Sequence, residues 1–491
     1  MARASLSDMM IALSQRHPDR LAVDSPTRNL TYAQFVALSS QAARELAARG
    51  IEPRMRVGIA NRRNEDTLVL MCAMWMLGVV AVAMDFRTRA PERAALARDF
   101  ELAAILEDRA VDAGGAYRAI VTDADWDAAV AAQPGGPVYS PPVEAPALIA
   151  LTSGSSGERM GVLVDHASLY IRANMPLGLI SRDQGGRMLM LGSLSFSAAM
   201  HITTAHLVHG GTVVYVPALF GVEELSRFIV EKHITSFTAV PTVMRGLLEI
   251  HRDRDTPAFP ALRCLCVAGA PAAAQEKRLA RRVLSASFIE VYASALTGRI
   301  AVLDVADVEA HAESVGRVIP LVNVEVVDAH GRVLPAGEPG AIRVRSPSMS
   351  TEVCGPGSLR QRGDRVADGW VHTGDVGRVD GEGFLHLLGR DSEMIIRGGE
   401  NIYPAELEAV ALELAGVKEA VAVGFPSERV GEEIGIFVVA EPHLAEHQLM
   451  AHFRSRLTPN KVPRTIRLVA VLHKNENNKV DYPALKKELM P

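Results

Sequence analysis

Apolar positions along this chain alternate between a helical spacing and short β-like runs, and that alternation sets the fold class. Leu30-Thr31-Tyr32-Ala-Gln-Phe35 opens a helical stretch that continues through Ala42-Ala-Arg-Glu-Leu-Ala-Ala-Arg49 and stops at Gly50. A glycine just past the last helical residue is a common left-handed cap. Arg56-Val-Gly-Ile-Ala60 reads as a short strand. Leu68 to Met84 is free of charge, at the short limit of the roughly 17–25 residues that a membrane span needs. Gly78 divides it, however. Leu68–Leu77 suits a buried helix, and Val79–Met84, rich in β-branched residues, suits a buried strand. Pro91-Glu92-Arg93 starts a further helix and Ala103–Leu106 a further strand. Strand–helix alternation of this kind predicts an α/β protein with a largely parallel sheet covered on both faces.

Farther along, Leu189–Phe196 and Thr212–Val216 read as strands around an apolar helix that ends at Gly210-Gly211. Thr235–Thr242 and Leu262–Pro271 follow, the second a strand ending in a small-residue turn. From Glu313 to Val344, period-2 alternation with turn residues indicates antiparallel β structure in a small barrel-like subdomain. Beyond it, strands at Val417–Gly424 and Ile434–Ala440 and a helix at Leu444–Leu457 make a small α+β domain. The expectation is therefore a large N-terminal domain of helix-flanked sheets plus a barrel-like subdomain, then a small C-terminal domain.

Composition narrows the class. A chain of 491 residues exceeds one ordinary core and should form at least two domains. With 48% hydrophobic and 22% charged residues it has the make-up of a soluble globular protein. A net charge of −5 gives no electrostatic reason to expect nucleic acid or an anionic membrane as partner. Cys72, Cys264, Cys266 and Cys354 are too few for a disulfide framework, and Cys264-x-Cys266 lacks a second ligand pair, so all four read as core thiols. His201, His206 and His209 share a helix, but no carboxylate completes a ligand set, so no metal site is expected there. The first residues show no apolar signal core, and a cytoplasmic protein without a membrane span is expected.

The chemistry centres on Leu151-Thr-Ser-Gly-Ser-Ser-Gly-Glu-Arg-Met-Gly-Val162, which follows the apolar strand Ala145–Leu151. Glycines let the backbone turn tightly, and successive N–H groups in such a turn form an anion-binding concavity. A plain polar turn is the alternative. No Gly-Lys-Ser/Thr closes the loop, so it is not a Walker loop. In Gly269-Ala270-Pro271, small residues let a flat ring approach the backbone, or simply join a strand to a helix. Asp368 to Glu408 holds Thr373-Gly-Asp375, Gly389-Arg390-Asp391 and Arg397-Gly-Gly-Glu-Asn401. An acidic side chain after a strand can accept both ribose hydroxyls. Asp375 is placed to do so, and Arg390 to reach ribose or phosphate.

Taken together these strings resemble the adenylate-forming superfamily: acyl- and aryl-CoA synthetases, amino-acid adenylation domains and luciferases. The resemblance covers nearly the whole chain and is strongest from 368 to 408. It implies that Thr152, Ser153, Gly154, Ser155, Ser156 and Gly157 form the phosphate loop. It also implies that Gly269, Ala270 and Pro271 border adenine, that Tyr292 stacks on it, and that Asp375 and Arg390 hold the ribose–phosphate. Phe196, His201, Val240, Ala293 and Ser294 would line the acyl pocket. Arg397, Gly398 and Gly399 would form part of the pantetheine tunnel for CoA. Asp391 would be a hinge between an N-terminal domain, 1–389, and a mobile C-terminal lid, 390–491, and Lys479 in Asn478-Lys479 would be the catalytic lysine. Small residues at Ala293–Ala295 with no obvious buried charge suggest an apolar or aromatic acyl group.

Four positions depart from the family pattern: Ala295 replaces a hydroxyl residue, Asn478 replaces the glycine before the lysine, and two more remove charge. Met160 stands where the phosphate loop has lysine, and Leu296 stands where the motif after Tyr292 has the glutamate that helps hold magnesium. ATP or AMP and CoA are the implied cofactors, with Mg2+ lacking its expected ligand. A carboxylic acid and CoA or a carrier-protein pantetheine are the implied partners. The implied activity is an AMP-forming acyl-CoA synthetase that passes an acyl-adenylate to a thiol. A specialist for the thioester-forming half-reaction, and an impaired acyl- or adenylate-binding scaffold or sensor, are the alternatives.

Overall fold

The computed structural model describes residues 4–111, 114–136, 140–153, 159–175, 185–216, 221–270, 272–350, 352–356, 366–427, 429–474 and 480–490. The chain divides into two compact units. One comprises Met1–Ala312, Gly316–Asn323 and Val344–Val371; the other comprises Glu313–Val315, Val324–Arg343 and His372–Pro491.

Local signals in the first unit fall where the sequence pattern puts them. Thr31 caps the helix Tyr32–Ala48, its hydroxyl accepting from the Gln34 amide while Gln34 reaches back to the Thr31 N–H. The helix Asn64–Leu77 is buried almost all round and is stopped by Gly78 at φ 74°. The strand Val80–Ala83, fully buried, then begins. Among the described residues no helix is long and apolar enough to cross a membrane.

Among the described residues two sheets carry this unit. One has seven strands, in the order Val353–Cys354, Arg159–Asp165, Pro146–Ser153, Val80–Ala83, Arg56–Ala60, Leu102–Glu107 and Ala119–Val121. The other has nine. Its centre is six mutually parallel strands in the order Phe288–Ser294, Cys264–Ala268, Ser236–Ala239, Arg187–Met190, Thr212–Tyr215 and Leu21–Asp24. Parallel strands need crossovers, and helices such as Ser197–Val208 and Pro241–His251 supply them.

One strand differs from expectation. The segment expected to be extended over Leu189–Phe196 is a strand only at Arg187–Met190. Asn64 breaks it by accepting from the Leu194 amide and donating to the Gly192 carbonyl, and the Ser193 and Ser195 hydroxyls bond each other. Local side-chain hydrogen bonds thus replace the ladder, and Phe196 becomes the N-cap of the next helix.

The second unit contains two smaller sheets. In one, Trp370–Val379 from His372 onward pairs antiparallel with Leu385–Arg390. This sheet also includes Asn323–Val327 and Gly340–Arg345, so the Thr-Gly-Asp and Gly-Arg-Asp strings belong to the predicted small β subdomain. In the other, Val417–Ser427 and Gly431–Ala440 form a long antiparallel pair. Ile395–Arg397, Glu400–Ile402 and Thr465–Leu468 complete it. The helix Glu446–Arg456 packs on this sheet through Leu449 and Phe453.

Candidate active site

In open parallel sheets, ligands bind beyond the carboxyl ends of the strands, where the chain leaves for its crossovers. In the nine-stranded sheet Ser236–Ala239 runs into Val240, half-exposed at 48%, and Pro241 then starts a helix. Cys264–Ala268 runs into Gly269 at φ 94°, where an added Cβ would meet only Val240 Cγ1 at 3.7 Å. Phe288–Ser294 ends with Tyr292 buried, Ala293 exposed and Ser294 partly buried. Phe196, 42% exposed, follows the end of the neighbouring Arg187–Met190. Apolar side chains left open at one edge of a well-packed sheet mark a binding surface. Phe196, Val240, Gly269, Ala270 and Ala293, expected to face the acyl group or adenine, are all at such strand exits.

The turn at Gly269 is held from below. Glu290 is buried and forms a 2.5 Å ion pair with Lys277, also buried, and it accepts from the Ala272 amide at 3.3 Å. Burial pushes the Glu290 carboxyl up, and the Lys277 charge opposes that. Sequence reading passed over this pair because a lysine in an amphipathic helix normally reads as surface.

Thr152 and Ser153 end the strand Pro146–Ser153, which pairs antiparallel with Arg159–Asp165 in the register Ser153↔Arg159. The strands entering and leaving the proposed phosphate loop are therefore in place. Gly154, Ser155, Ser156 and Gly157 lie outside the described residues, as do Pro271 and Lys479.

The two charge-removing departures from the family pattern, Met160 and Leu296, are buried. Met160, opposite Thr152, is 2% exposed, and Leu296 is 4% exposed and packed into the main core. Leu296 offers no oxygen to a cation. Among the described residues no group of His, Cys, Asp and Glu could hold a metal. The residues present do not fit a protein-ligated magnesium at this position.

No buried charge was expected beside Ala293–Ala295, and one is there. Arg172, on the helix His166–Asn174, is 4% exposed and donates to the carbonyls of Ala295 (3.1 Å), Leu296 (3.3 Å) and Ser348 (3.1 Å). Its Nη1 lies 2.8 Å from His201 Nε2. Burial, with Arg299 nearby, lowers Arg172 to about 10, and burial together with Arg172 and Arg299 drives the His201 imidazole well below its usual range. Sequence reading missed Arg172 because nothing in His166–Asn174 distinguishes it from a surface arginine. The other two helix histidines serve packing: His206 contacts the Gly186 carbonyl and His209 the Ala205 carbonyl.

In the second unit, Asp375 and Arg390 are cross-strand partners, and Arg390 Nε lies 2.8 Å from Asp375 Oδ1. The Asp375 amide donates to Thr373 Oγ1 at 3.1 Å, and Gly374 takes φ 76° between them. The motif is thus a small machine for aiming one carboxylate. Asp391 opens a short 3-10 turn to Glu393. Behind it sits a cluster not read from the sequence, formed by Glu393, Glu408 and Tyr482. Desolvation, with Glu393 nearby, pushes Glu408 up to about 7 against the Ala422 amide that it accepts from. Burial and the two carboxylates also raise the Tyr482 phenol.

Arg397 pairs with Glu433 at 2.8 Å and donates to the Asn460 carbonyl at 2.6 Å. It lines an open cleft of about 570 Å³ together with Arg454, Pro459, Val462 and Arg464. Gly398 and Gly399 follow at φ 62° and 86°, with open space where their Cβ atoms would be.

Comparison with known proteins bears on the family and the fold. The family described as AMP-binding enzyme matches residues 12–352, and its C-terminal domain family matches residues 406–479. A feruloyl-CoA synthase from an Amycolatopsis species is 29% identical over 480 residues, covering 95% of each chain. Among solved structures, ATP-bound MatB from Rhodopseudomonas palustris superposes with a TM-score of 0.90 at 22% identity, over 99% of both chains. The o-succinylbenzoate CoA synthetase from Bacillus subtilis, in complex with its acyl-adenylate intermediate, superposes with a TM-score of 0.85 at 25% identity, over 97% of both.

Proposed function

This chain belongs to the AMP-binding enzyme family, and from that membership we propose that it is an AMP-forming acid–thiol ligase. It joins a carboxylic acid to the α-phosphate of ATP and then passes the acyl group to the thiol of CoA or of a carrier-protein pantetheine. The observation that carries the reading is the Asp375–Arg390 pair. It presents an oriented carboxylate for a ribose diol and keeps a cation beside it, as nucleotide capture requires.

A carboxylate is a poor acyl donor. Attack by its oxygen on the α-phosphorus expels pyrophosphate and leaves an acyl-adenylate with a good leaving group. A thiolate then attacks the acyl carbon and releases AMP. The protein's part is positioning and charge neutralisation. Tyr292, Gly269 and Ala270 would face adenine, and Asp375 the ribose. Thr152 to Gly157 would cradle phosphate through backbone N–H groups. Lys479 would bridge the carboxylate and α-phosphate as a point charge. Rotation at Asp391, between residues 1–389 and 390–491, would then exchange Lys479 for Arg397–Gly399, which accompany the thiol.

One observation favours a narrower reading. By the family pattern Met160 and Leu296 replace the charges that would meet the β- and γ-phosphates and metal, and here both side chains are packed inside rather than presented to a ligand. A chain specialised for the thiol half-reaction needs no pyrophosphate grip. Two assays separate the readings. The full ligase releases pyrophosphate from ATP in an acid-dependent way and makes thioester. The specialist makes thioester only from supplied acyl-adenylate and CoA. Silence in both assays refutes both.

A further inference from the structure

The acyl pocket assigned above is bounded by an unusual set of charges. Two arginines lie side by side behind it. Arg172 spends its hydrogen bonds on three carbonyls and on His201, and Arg299 Nη1 donates to the Arg172 and Met175 carbonyls at 3.0 and 3.1 Å. Among the described residues, neither guanidinium has a carboxylate within ion-pair distance. Elsewhere the protein pairs its most buried charges, as in Arg93–Glu107 and Lys277–Glu290. Unpaired buried charge is costly unless a partner arrives.

Arg172 also fixes the chemistry of His201. A guanidinium has only donors, so His201 Nε2 must accept and carries no proton. The proton therefore sits on Nδ1. Protonating both nitrogens would place a third cation against two guanidinium groups, so the ring stays neutral. His201 Nδ1 makes no hydrogen bond to protein among the described residues, and the residue is partly exposed. It is a fixed donor that no protein acceptor takes up among the described residues. Arg172 ties the ring to the Ala295–Leu296 turn just beyond Ala293, and the apolar Phe196, 42% exposed, caps the start of the helix that carries His201.

We propose that His201, locked by Arg172 as an Nδ1–H donor in the field of Arg172 and Arg299, selects acids that carry a second carboxylate beyond an apolar spacer. The proposal rests on the acid–thiol ligase reading and names its substrate class. The first carboxylate is activated and the second is received by His201 Nδ1–H. The spacer lies along Phe196 and Val240. A site built to hydrogen-bond a substrate oxygen rejects the analogue that lacks it, because its donor is then left unpaired. Arg172 is a positioning residue that acts through His201.

The test uses the full chain and non-hydrolysable acyl-sulfamoyl adenosines in matched pairs of four to eight carbons, each with a terminal methyl or a terminal carboxylate. Calorimetry should show the carboxylate member of at least one pair binding about tenfold or more tighter. His201→Phe should erase that ratio, and His201→Asn, which keeps a donor, should retain part of it. Long-range proton–nitrogen NMR should find the His201 proton on Nδ1 in the wild type and in Arg172→Lys, and exchange between nitrogens in Arg172→Met. Equal affinity within every pair, or a ratio that survives His201→Phe, overturns the inference while leaving the ligase reading intact if AMP still binds. Failure of AMP and of every analogue to bind overturns both.

Discussion

Replacing Glu408 with glutamine should stabilise the second unit at about pH 8 and leave it nearly unchanged at about pH 4. Glu408 is partly buried on the helix Pro404–Leu412, accepts from the Ala422 amide and faces Glu393 and Tyr482. Desolvation is the main cause of its rise from 4.5 to about 7, and the Glu393 charge adds to it. A raised acid is one that the fold prefers protonated. Between those two values the folded chain holds a proton that the unfolded chain has lost, so stability falls as pH climbs through the window and is level above it. At about 1.4 kcal/mol per pKa unit the full shift corresponds to about 3 kcal/mol. Partial exposure lets solvent relieve some of it, and about 2 kcal/mol is the expected gain for glutamine. Glutamine keeps the acceptor for Ala422 and can donate to Glu393. Hydrogen exchange read on the peptides of Pro404–Leu412 and Val417–Ser427 isolates this region from the first unit. Exchange in the wild type should accelerate relative to the variant from about pH 5 to about pH 7. A variant–wild-type difference that is independent of pH, or a variant less protected at about pH 8, would refute the reasoning.

Three further outcomes follow from the site. Asp375→Asn removes the carboxylate that Arg390 aims, and AMP binding by calorimetry should weaken by about 2 kcal/mol, roughly thirtyfold in Kd. Lys277→Met strands Glu290 in the core, and urea unfolding at neutral pH should show a loss of about 3–5 kcal/mol, reduced at acid pH as Glu290 takes up a proton. Met160→Lys with Leu296→Glu restores the family's residues at two positions that are 2% and 4% exposed. Burying those charges should lower stability by several kcal/mol, and pyrophosphate release should not rise above the wild-type rate.

Much of the fold could be read from pattern because local and tertiary preferences agree. Gly78 is both the divider in the sequence and the left-handed helix stop. Thr31 and Gln34 form the cap that their spacing allows. Agreement failed at Leu189–Phe196, where apolar content suggested a strand but Asn64, far away in sequence, supplied competing hydrogen bonds. The candidate site divides the same way. Phe196, Val240 and Ala293 were named through the family resemblance, Gly269 through the small residues that end its strand, and Asp375 and Arg390 through their distinctive strings; the structure puts Asp375 and Arg390 side by side. Arg172, Lys277–Glu290 and Glu393–Glu408 were not legible. Each depends on a side chain buried by elements distant in the chain, and an arginine or glutamate in a helix looks the same from sequence whether it meets water or a carbonyl.

Thioester formation from a synthetic acyl-adenylate and CoA, followed by mass spectrometry, tests the central claim most directly, because both catalytic readings require the adenylate cleft. Saturable acyl-CoA production is expected, suppressed by excess AMP and impaired in Asp375→Asn. Absence of thioester across mono- and dicarboxylic adenylates, together with no binding of AMP, would contradict that claim.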